Sequence, residues 1–318
     1  MISAILLLVL ILLLFISIIC SPYDNTNLLS WNNPRVYEIK SFLSSEECDY
    51  IINYTLHHPQ YVSTGYASVY LPIYPKLPEL LQNIEQRIAI VTGTSPHPDE
   101  EPFNIHRIPA VPKYDYDNDY NSIKECLQDY RINHYDDDLS VKCKLSLSNI
   151  HHDKVQKEFS SVTVIVYLND VLIGGGTVFP CLRLNNNNSS KQLHQYCNDV
   201  FNDKIRWLDG NMVVASNKYS KFKVHNETMK NNIDELLIAG HYGCIMNQSE
   251  SIIYPGIRTT AKKGTAIIFY HNQLNGDADT MAYHGGCNPQ SGEKWTIQKF
   301  KELPKQYRNK VKMSKDEL

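Results

Sequence analysis

Hydrophobic positions are distributed along this chain in three distinct regimes. The first is a run of apolar residues from Ile5 to Ile19, broken only by Ser17. Such a run is long for a signal-peptide core and short for a membrane span, and no Lys or Arg precedes it. It predicts a signal peptide or signal anchor over residues 1–21, with cleavage near Cys20-Ser21-Pro22; if retained, residues 2–20 would form a membrane anchor. The second regime is helical. After an extended lead-in over 23–35, Ser44-Ser45-Glu46-Glu47 sets a Ser cap and early carboxylates ahead of Ile51, Ile52 and Leu56. Leu77 to Ile90 carries a stripe of Leu80, Leu81, Ile84, Ile88 and Ile90 at helical spacing. Both helices are expected to cover a sheet, which makes residues 22–100 an N-terminal helical support region.

Beyond Glu101 the period shortens. Val162 to Leu168 is a β-branched run without polar alternation, as in a strand buried on both faces. Gly174-Gly175-Gly176 is a turn before Thr177-Val178-Phe179, and Gly264 to Tyr270 reads as another strand. Met281–His284 and Lys294–Gln298 are expected to pair as a hairpin through Asn288-Pro289-Gln290-Ser291-Gly292. Short strands with turn punctuation predict a mainly β fold with flanking helices (α+β), built as an antiparallel sandwich or barrel. Residues 101–302 form its body. Two stretches break the rhythm, the Tyr- and Asp-rich 109–148 and the Asn-rich 184–256. Both read as insertions on the rim, with a short helix or strand at Ile233–Ala239. A tail, 303–318, follows.

Composition narrows the setting. With 318 residues, 42% hydrophobic, 20% charged and a net charge of −3, the chain can bury one sizeable core. Its basic residues are scattered, which argues against nucleic-acid binding. The final Lys315-Asp316-Glu317-Leu318 is an endoplasmic-reticulum retrieval signal. Together with the apolar N-terminus it predicts a lumenal protein, soluble or type II anchored. An oxidising lumen favours disulfides. Of eight Cys, cleavage would leave seven, so one stays free or pairs between chains. Cys126 with Cys143, and Cys181 with Cys197 or Cys244, are the expected pairs. Sequons at Asn53, Asn187, Asn188, Asn226 and Asn247 place the second insertion at the surface.

The chemistry rests on a few polar residues. Two His-x-Asp patterns occur, His134-Tyr135-Asp136 and His151-His152-Asp153. The first lies in an acidic run inside an insertion. The second stands just before the buried strand at Val162, where a rigid element can hold a ligand. In an extended segment His151 and Asp153 point to one face and His152 to the other. A second His far downstream, His284, completes two imidazoles and one carboxylate, the facial ligand set of a non-haem Fe(II) site with open positions for substrate and O₂. Lys294 adds a fixed cation for a dicarboxylate co-substrate. His57, His58, His106, His194, His225, His241 and His271 fall outside this pattern and read as structural or surface residues.

Several motifs in order resemble the prolyl 4-hydroxylase-type Fe(II)/2-oxoglutarate dioxygenases. They are Ser30-Trp31 with Pro34-Arg35, Phe42 to Cys48, Ile84 to Ala89, His151-x-Asp153, Tyr167 to Val171, Gly175-Gly176-Thr177-Val178-Phe179-Pro180, Lys263 to Ala266, and His284-Gly285-Gly286-Cys287 with Gly292-x-Lys294-Trp295. The resemblance implies a double-stranded β-helix, a jelly roll with iron at its mouth, and N-terminal helices packed on the sheet. It assigns His151, Asp153 and His284 to iron, and Lys294 to the distal carboxylate of 2-oxoglutarate with help from Thr177 and Tyr135. It further implies O₂ as oxidant, ascorbate as reductant and a proline-containing peptide or protein as substrate; the chain has no room for the separate peptide-binding domain of the collagen-modifying members, so a monomer is expected. Three departures bear on the acceptor rather than the chemistry. The Asp153-to-His284 interval is long, Ser160 and Ser161 stand where an Arg is common, and Phe300 stands where a Trp is common. A lysine or other peptidyl hydroxylase and a non-catalytic jelly-roll binding protein stay open as alternatives.

Overall fold

The computed structural model of the protein describes residues 26–30, 34–110, 147–153, 160–182, 188–202, 205–208, 213–215, 221–222, 227–245, 256–273 and 276–306. These residues form two antiparallel sheets and four helices. The strands are β1 (Thr26–Ser30), β2 (Val36–Ile39), β3 (Ala67–Tyr70), β4 (Asn104–Pro109), β5 (Leu147–His151), β6 (Ser160–Tyr167) and β7 (Thr177–Phe179). After an excursion through β8 (Ile205–Leu208), β9 (Val213–Ala215) and β10 (Lys221–Phe222), the series resumes with β11 (Ile257–Arg258), β12 (Ala266–Tyr270), β13 (His284–Cys287) and β14 (Glu293–Glu302). The major sheet has the order β1-β2-β12-β6-β14-β4-β3 and the minor sheet β10-β9-β8-β5-β13-β7-β11. Strands β4 to β7 and β11 to β14 thus cross between facing sheets as a jelly roll does, the predicted double-stranded β-helix.

The uninterrupted apolar run of β6 follows from burial on both sides. Val162, Val164 and Val166 point outward into one core cluster, while Tyr167 points inward into another, with Ile165 packed beside it. Strand β12 repeats the division, Ala266 and Ile268 outward, Ile267 and Phe269 inward. The outward cluster is closed by two helices, α1 (Ser45–Leu56) and α2 (Glu79–Thr92). Helix α1 starts in a full capping box: Ser44 Oγ accepts from the Glu47 amide, and the Glu47 carboxylate accepts from the Ser44 amide. Helix α2 buries Leu81, Ile84 and Ile88 and ends at Gly93 in the left-handed region. Ile90, expected in the apolar stripe, is instead exposed, and Glu85 is buried in its place. That carboxylate has a reason to be there. Lys299 and Lys301 on the outward face of β14 reach Glu85 and Glu100 at 2.8–3.3 Å, all four buried.

Two expectations are corrected. Region 22–100 is more than a helical support, because β1, β2 and β3 join the major sheet. The hairpin across residues 281–298 does not form. Strand β13 begins at His284 rather than ending there and pairs with β5 and β7, whereas β14 pairs with β4 and β6. The turn between them carries the chain from one sheet to the other.

The second insertion builds on the minor sheet. Strands β8 to β10 extend it beyond β5, and helices α3 (Asn188–Asn202) and α4 (Glu227–Ile245) pack against each other. Ile233–Ala239 lies within α4. Two disulfides tie this layer down. Cys181–Cys197 is one of the expected pairs, but Cys244 bonds to Cys287 on β13. Cys48 is free and buried. Among the described residues no helix is long and apolar enough to cross a membrane. The apolar N-terminus, Cys126, Cys143, the His134-Tyr135-Asp136 pattern and the C-terminal tetrapeptide lie outside the described residues.

Candidate metal centre

His151 closes β5 and His284 opens β13, and the two are direct partners in the antiparallel register. Partners across such a pair point to the same face. Their rings accordingly meet with centroids 4.3 Å apart. Asp153, two residues past His151, reaches the same point: its Oδ1 lies 3.4 Å from His151 Nε2 and its Oδ2 3.6 Å from His284 Nε2. Ligand atoms of the three residues lie within 4.8 Å of one another, and among the described residues they are the group that could hold a metal ion. Ligands about 2.1 Å from an ion at right angles stand about 3 Å apart, so a small contraction would close the set on a metal.

Polar satisfaction supports the fit. Asp153 Oδ1 and His284 Nε2 are buried without a hydrogen-bond partner, and such atoms are costly unless something else binds them. His284 Nδ1 donates to the Ala282 carbonyl at 3.0 Å, which fixes the tautomer and leaves Nε2 as a lone-pair donor. Burial, then repulsion from His151, pushes His284 down to about 3, so the ring is neutral at physiological pH. Burial pushes the Asp153 carboxyl up, but the imidazoles of His284, His151 and His271 outweigh it and hold the group well below the usual carboxylate range. Two imidazoles and one carboxylate are the donor set that ferrous iron accepts. Phe269 and Phe179 wall the His284 ring at 4.4 and 5.9 Å.

His152 turns away, as alternation requires. Its Nε2 bonds the Asp279 carbonyl at 2.8 Å, and its ring packs on Phe201 and Tyr283. Lys294 lies on the inward face of β14, 4% exposed, and its Nζ donates to the Cys287 carbonyl at 2.8 Å. Burial pushes its ammonium down to about 8. Thr177, also buried, bonds through Oγ1 to the Tyr167 hydroxyl at 2.8 Å, which takes a second contact from Thr259 Oγ1 at 2.8 Å. Thr177 and Lys294 flank the end of β13, since the Cys287 amide donates to the Gly176 carbonyl at 2.8 Å. Tyr135 lies outside the described residues.

The structure adds two residues that sequence reasoning passed over. Thr163 Oγ1 donates to Asp153 Oδ2 at 2.7 Å, and His271 Nε2 stands 2.8 Å from that hydroxyl and 3.4 Å from the same carboxylate oxygen. Strand alternation could have placed Thr163 on the inward face. Nothing local to His271 marks it.

No family model matches the chain. A 48-residue stretch is 42% identical to prolyl 4-hydroxylase 1 of Arabidopsis thaliana; it covers 15% of this chain and only 17% of that protein's length. Among solved structures, the chain is similar to the viral collagen prolyl hydroxylase of Paramecium bursaria chlorella virus 1 in its 2-oxoglutarate complex, at 16% identity, TM-score 0.39, covering 83% of this chain and 94% of that one. It is similar also to a Pseudomonas putida prolyl-4-hydroxylase (9% identity, TM-score 0.36, 85% and 93% covered) and to HygX of Streptomyces hygroscopicus with nickel and 2-oxoglutarate bound (10%, 0.40, 83% and 81%).

Proposed function

We propose that this protein is an Fe(II)- and 2-oxoglutarate-dependent dioxygenase that hydroxylates a peptidyl residue, proline at C4 in the first instance. The convergence of partly exposed His151 with buried Asp153 and His284 at one point carries the reading. When bound, the iron and oxo acid activate O₂: one oxygen atom goes to the acceptor C–H as hydroxyl, and the other enters succinate as the oxo acid loses CO₂. The chain supplies placement and shielding. His284 presents Nε2 because Nδ1 is engaged by Ala282. Lys294, the buried cation beside β13, offers a charge-assisted bond to the distal carboxylate of 2-oxoglutarate. Thr177 is its proposed neighbour at that carboxylate, and Tyr135 a further one. Phe179 and Phe269 give the His284 ring an apolar wall.

The Lys315-Asp316-Glu317-Leu318 sequence supports a lumenal setting for the enzyme, soluble or held by residues 2–20, and a monomer with ascorbate as reductant is part of the same proposal. Phe300 and the Ser160-Ser161 pair leave the acceptor side unlike a standard prolyl site, so the decisive experiment is product mapping. The iron-loaded protein is incubated with 2-oxoglutarate and an array of proline- and lysine-containing peptides, and the oxidised carbon is located by mass spectrometry. Hydroxylation at proline C4 is expected. Hydroxylation of lysine instead would move the acceptor and keep the reaction. Absence of both hydroxylated peptide and uncoupled succinate would refute the enzyme.

A further inference from the structure

We propose that Thr163 and His271 form a positioning pair that decides which oxygen of Asp153 faces the metal. The inference rests on His151, Asp153 and His284 being a metal centre. An ionised carboxylate only accepts hydrogen bonds, so the 2.7 Å contact from Thr163 Oγ1 commits the single hydroxyl proton to Asp153 Oδ2. The 2.8 Å contact between Thr163 Oγ1 and His271 Nε2 must then be donated by the imidazole. His271 therefore carries its proton on Nε2. That nitrogen has no lone pair to offer an ion, which separates His271 from the two proposed ligand histidines, although it is as buried as His284. The same N–H lies 3.4 Å from Asp153 Oδ2. Thr163 Oγ1 at 2.7 Å and His271 Nε2 at 3.4 Å thus both address Oδ2, whereas Oδ1 makes no hydrogen bond and has beside it, at 3.4 Å, Nε2 of His151, itself a proposed ligand nitrogen.

The fold holds this pair rigidly. Thr163 on β6 is the register partner of Phe269 on β12. His271, two residues beyond Phe269, shares its inward face and arrives beside the Thr163 hydroxyl. Its amide donates to the Ser161 carbonyl at 2.9 Å and its carbonyl accepts from the Asp279 amide at 2.8 Å, so backbone on both sides fixes the ring's origin. Both side chains are fully buried.

The consequence is coordination number. With Oδ2 engaged, Asp153 binds through Oδ1 alone, and the protein occupies three positions of an octahedral ion. A carboxylate free to swing would take a fourth and block one of the positions a chelating oxo acid needs. Partners of this kind orient metal ligands, and their loss weakens binding by about 10–100-fold.

The test uses the full-length protein and Co(II) alone, without turnover, for wild type, Thr163→Val, Thr163→Ser, His271→Leu and His271→Gln. Calorimetry reads affinity and d–d absorption reads coordination; circular dichroism checks folding. Thr163→Val and His271→Leu should bind Co(II) about 10–100-fold more weakly with a shifted spectrum. Thr163→Ser and His271→Gln, which keep a donor at each place, should stay close to wild type. Should His271→Leu fail to fold, the near-isosteric Thr163→Val decides alone. Unchanged affinity and spectrum in Thr163→Val and His271→Leu overturn the pairing, as does a Gln variant no better than Leu. A wild type that takes up no Co(II) sinks the metal centre itself, and the pairing with it.

Discussion

Replacing Lys294 by Met separates binding from stability, because the two effects have opposite signs. Lys294 is 4% exposed, with the Cys287 carbonyl as its hydrogen-bond acceptor, and burial lowers its ammonium from 10.5 to about 8. At about 1.4 kcal/mol per unit, charging this side chain inside the protein costs about 3 kcal/mol relative to the unfolded chain. Between pH 8 and 10.5 the unfolded state binds more protons than the folded one. Wild-type stability therefore rises through that window, and the cost is fully present below pH 8. Lys294→Met removes the cost and orphans the Cys287 carbonyl, a loss of about 1–3 kcal/mol. At pH 7 the variant should be as stable as wild type or up to about 2 kcal/mol more stable. Because wild type alone gains stability between pH 8 and 10.5, wild type should become the more stable protein as pH rises through that window. Its affinity for 2-oxoglutarate should fall by about 10–150-fold, the worth of a charge-assisted hydrogen bond of about 1.5–3 kcal/mol. In wild type the same affinity should weaken as pH rises through 8, where the ammonium is lost. Urea melts at pH 7 and 9.5 and calorimetric titration with 2-oxoglutarate on the Co(II)-loaded protein read both. A variant that binds 2-oxoglutarate as tightly as wild type would refute the role given to Lys294, whatever its stability.

Other outcomes are equally specific. His151→Ala or Asp153→Ala should abolish Co(II) uptake in calorimetry while leaving the circular dichroism unchanged; retained uptake would contradict the ligand set. Lys301→Met leaves Glu85 and Glu100 buried with one cation fewer and should cost about 3–5 kcal/mol in a urea melt, as broken buried pairs do; a loss under 1 kcal/mol would mean that Lys299 satisfies both carboxylates alone. Ser44→Ala removes the cap of α1 and should cost about 1 kcal/mol, seen as a lower Tm. Cys244→Ser opens a closed loop of 43 residues and should cost about 4 kcal/mol; a thermal midpoint unmoved by the change would argue that the pair is not formed in solution.

How much of this was legible in the sequence depended on how local each signal is. The α1 cap sits within four consecutive residues, and the β6 run within eight, so both could be read directly. His151 and Asp153 are legible for the same reason, since strand alternation alone aligns i and i+2. Strand β14 was found but mispaired, because a Gly- and Pro-containing turn announces reversal without saying whether the chain returns to the same sheet. Glu85 looked like one more polar position on α2; its burial depends on Lys299 and Lys301, more than 200 residues later. His271 was passed over because its partner Thr163 is 108 positions away and no spacing rule links them. Cys287 was read only as the end of the His284-Gly285-Gly286-Cys287 motif, and its bond to Cys244 in a helix of the insertion was set by packing.

The site therefore sits on the seam between two independently built sheets, and that makes register its controlling variable. The minor sheet brings His151 and His284 face to face through backbone pairing, while the major sheet supplies Thr163 and Lys294 from strands β6 and β14. A one-residue slip of β13 against β5 would turn His284 to the opposite face and dismantle the centre. Two features of this chain oppose such a slip. Cys287, at the far end of β13, is bonded to α4, so the strand cannot slide without dragging a helix. Its carbonyl also holds the Lys294 ammonium, which fixes the end of β13 to the facing sheet. The second insertion is thus more than decoration on the rim: through one sulfur it anchors the strand that carries the second imidazole, three residues from the ring itself.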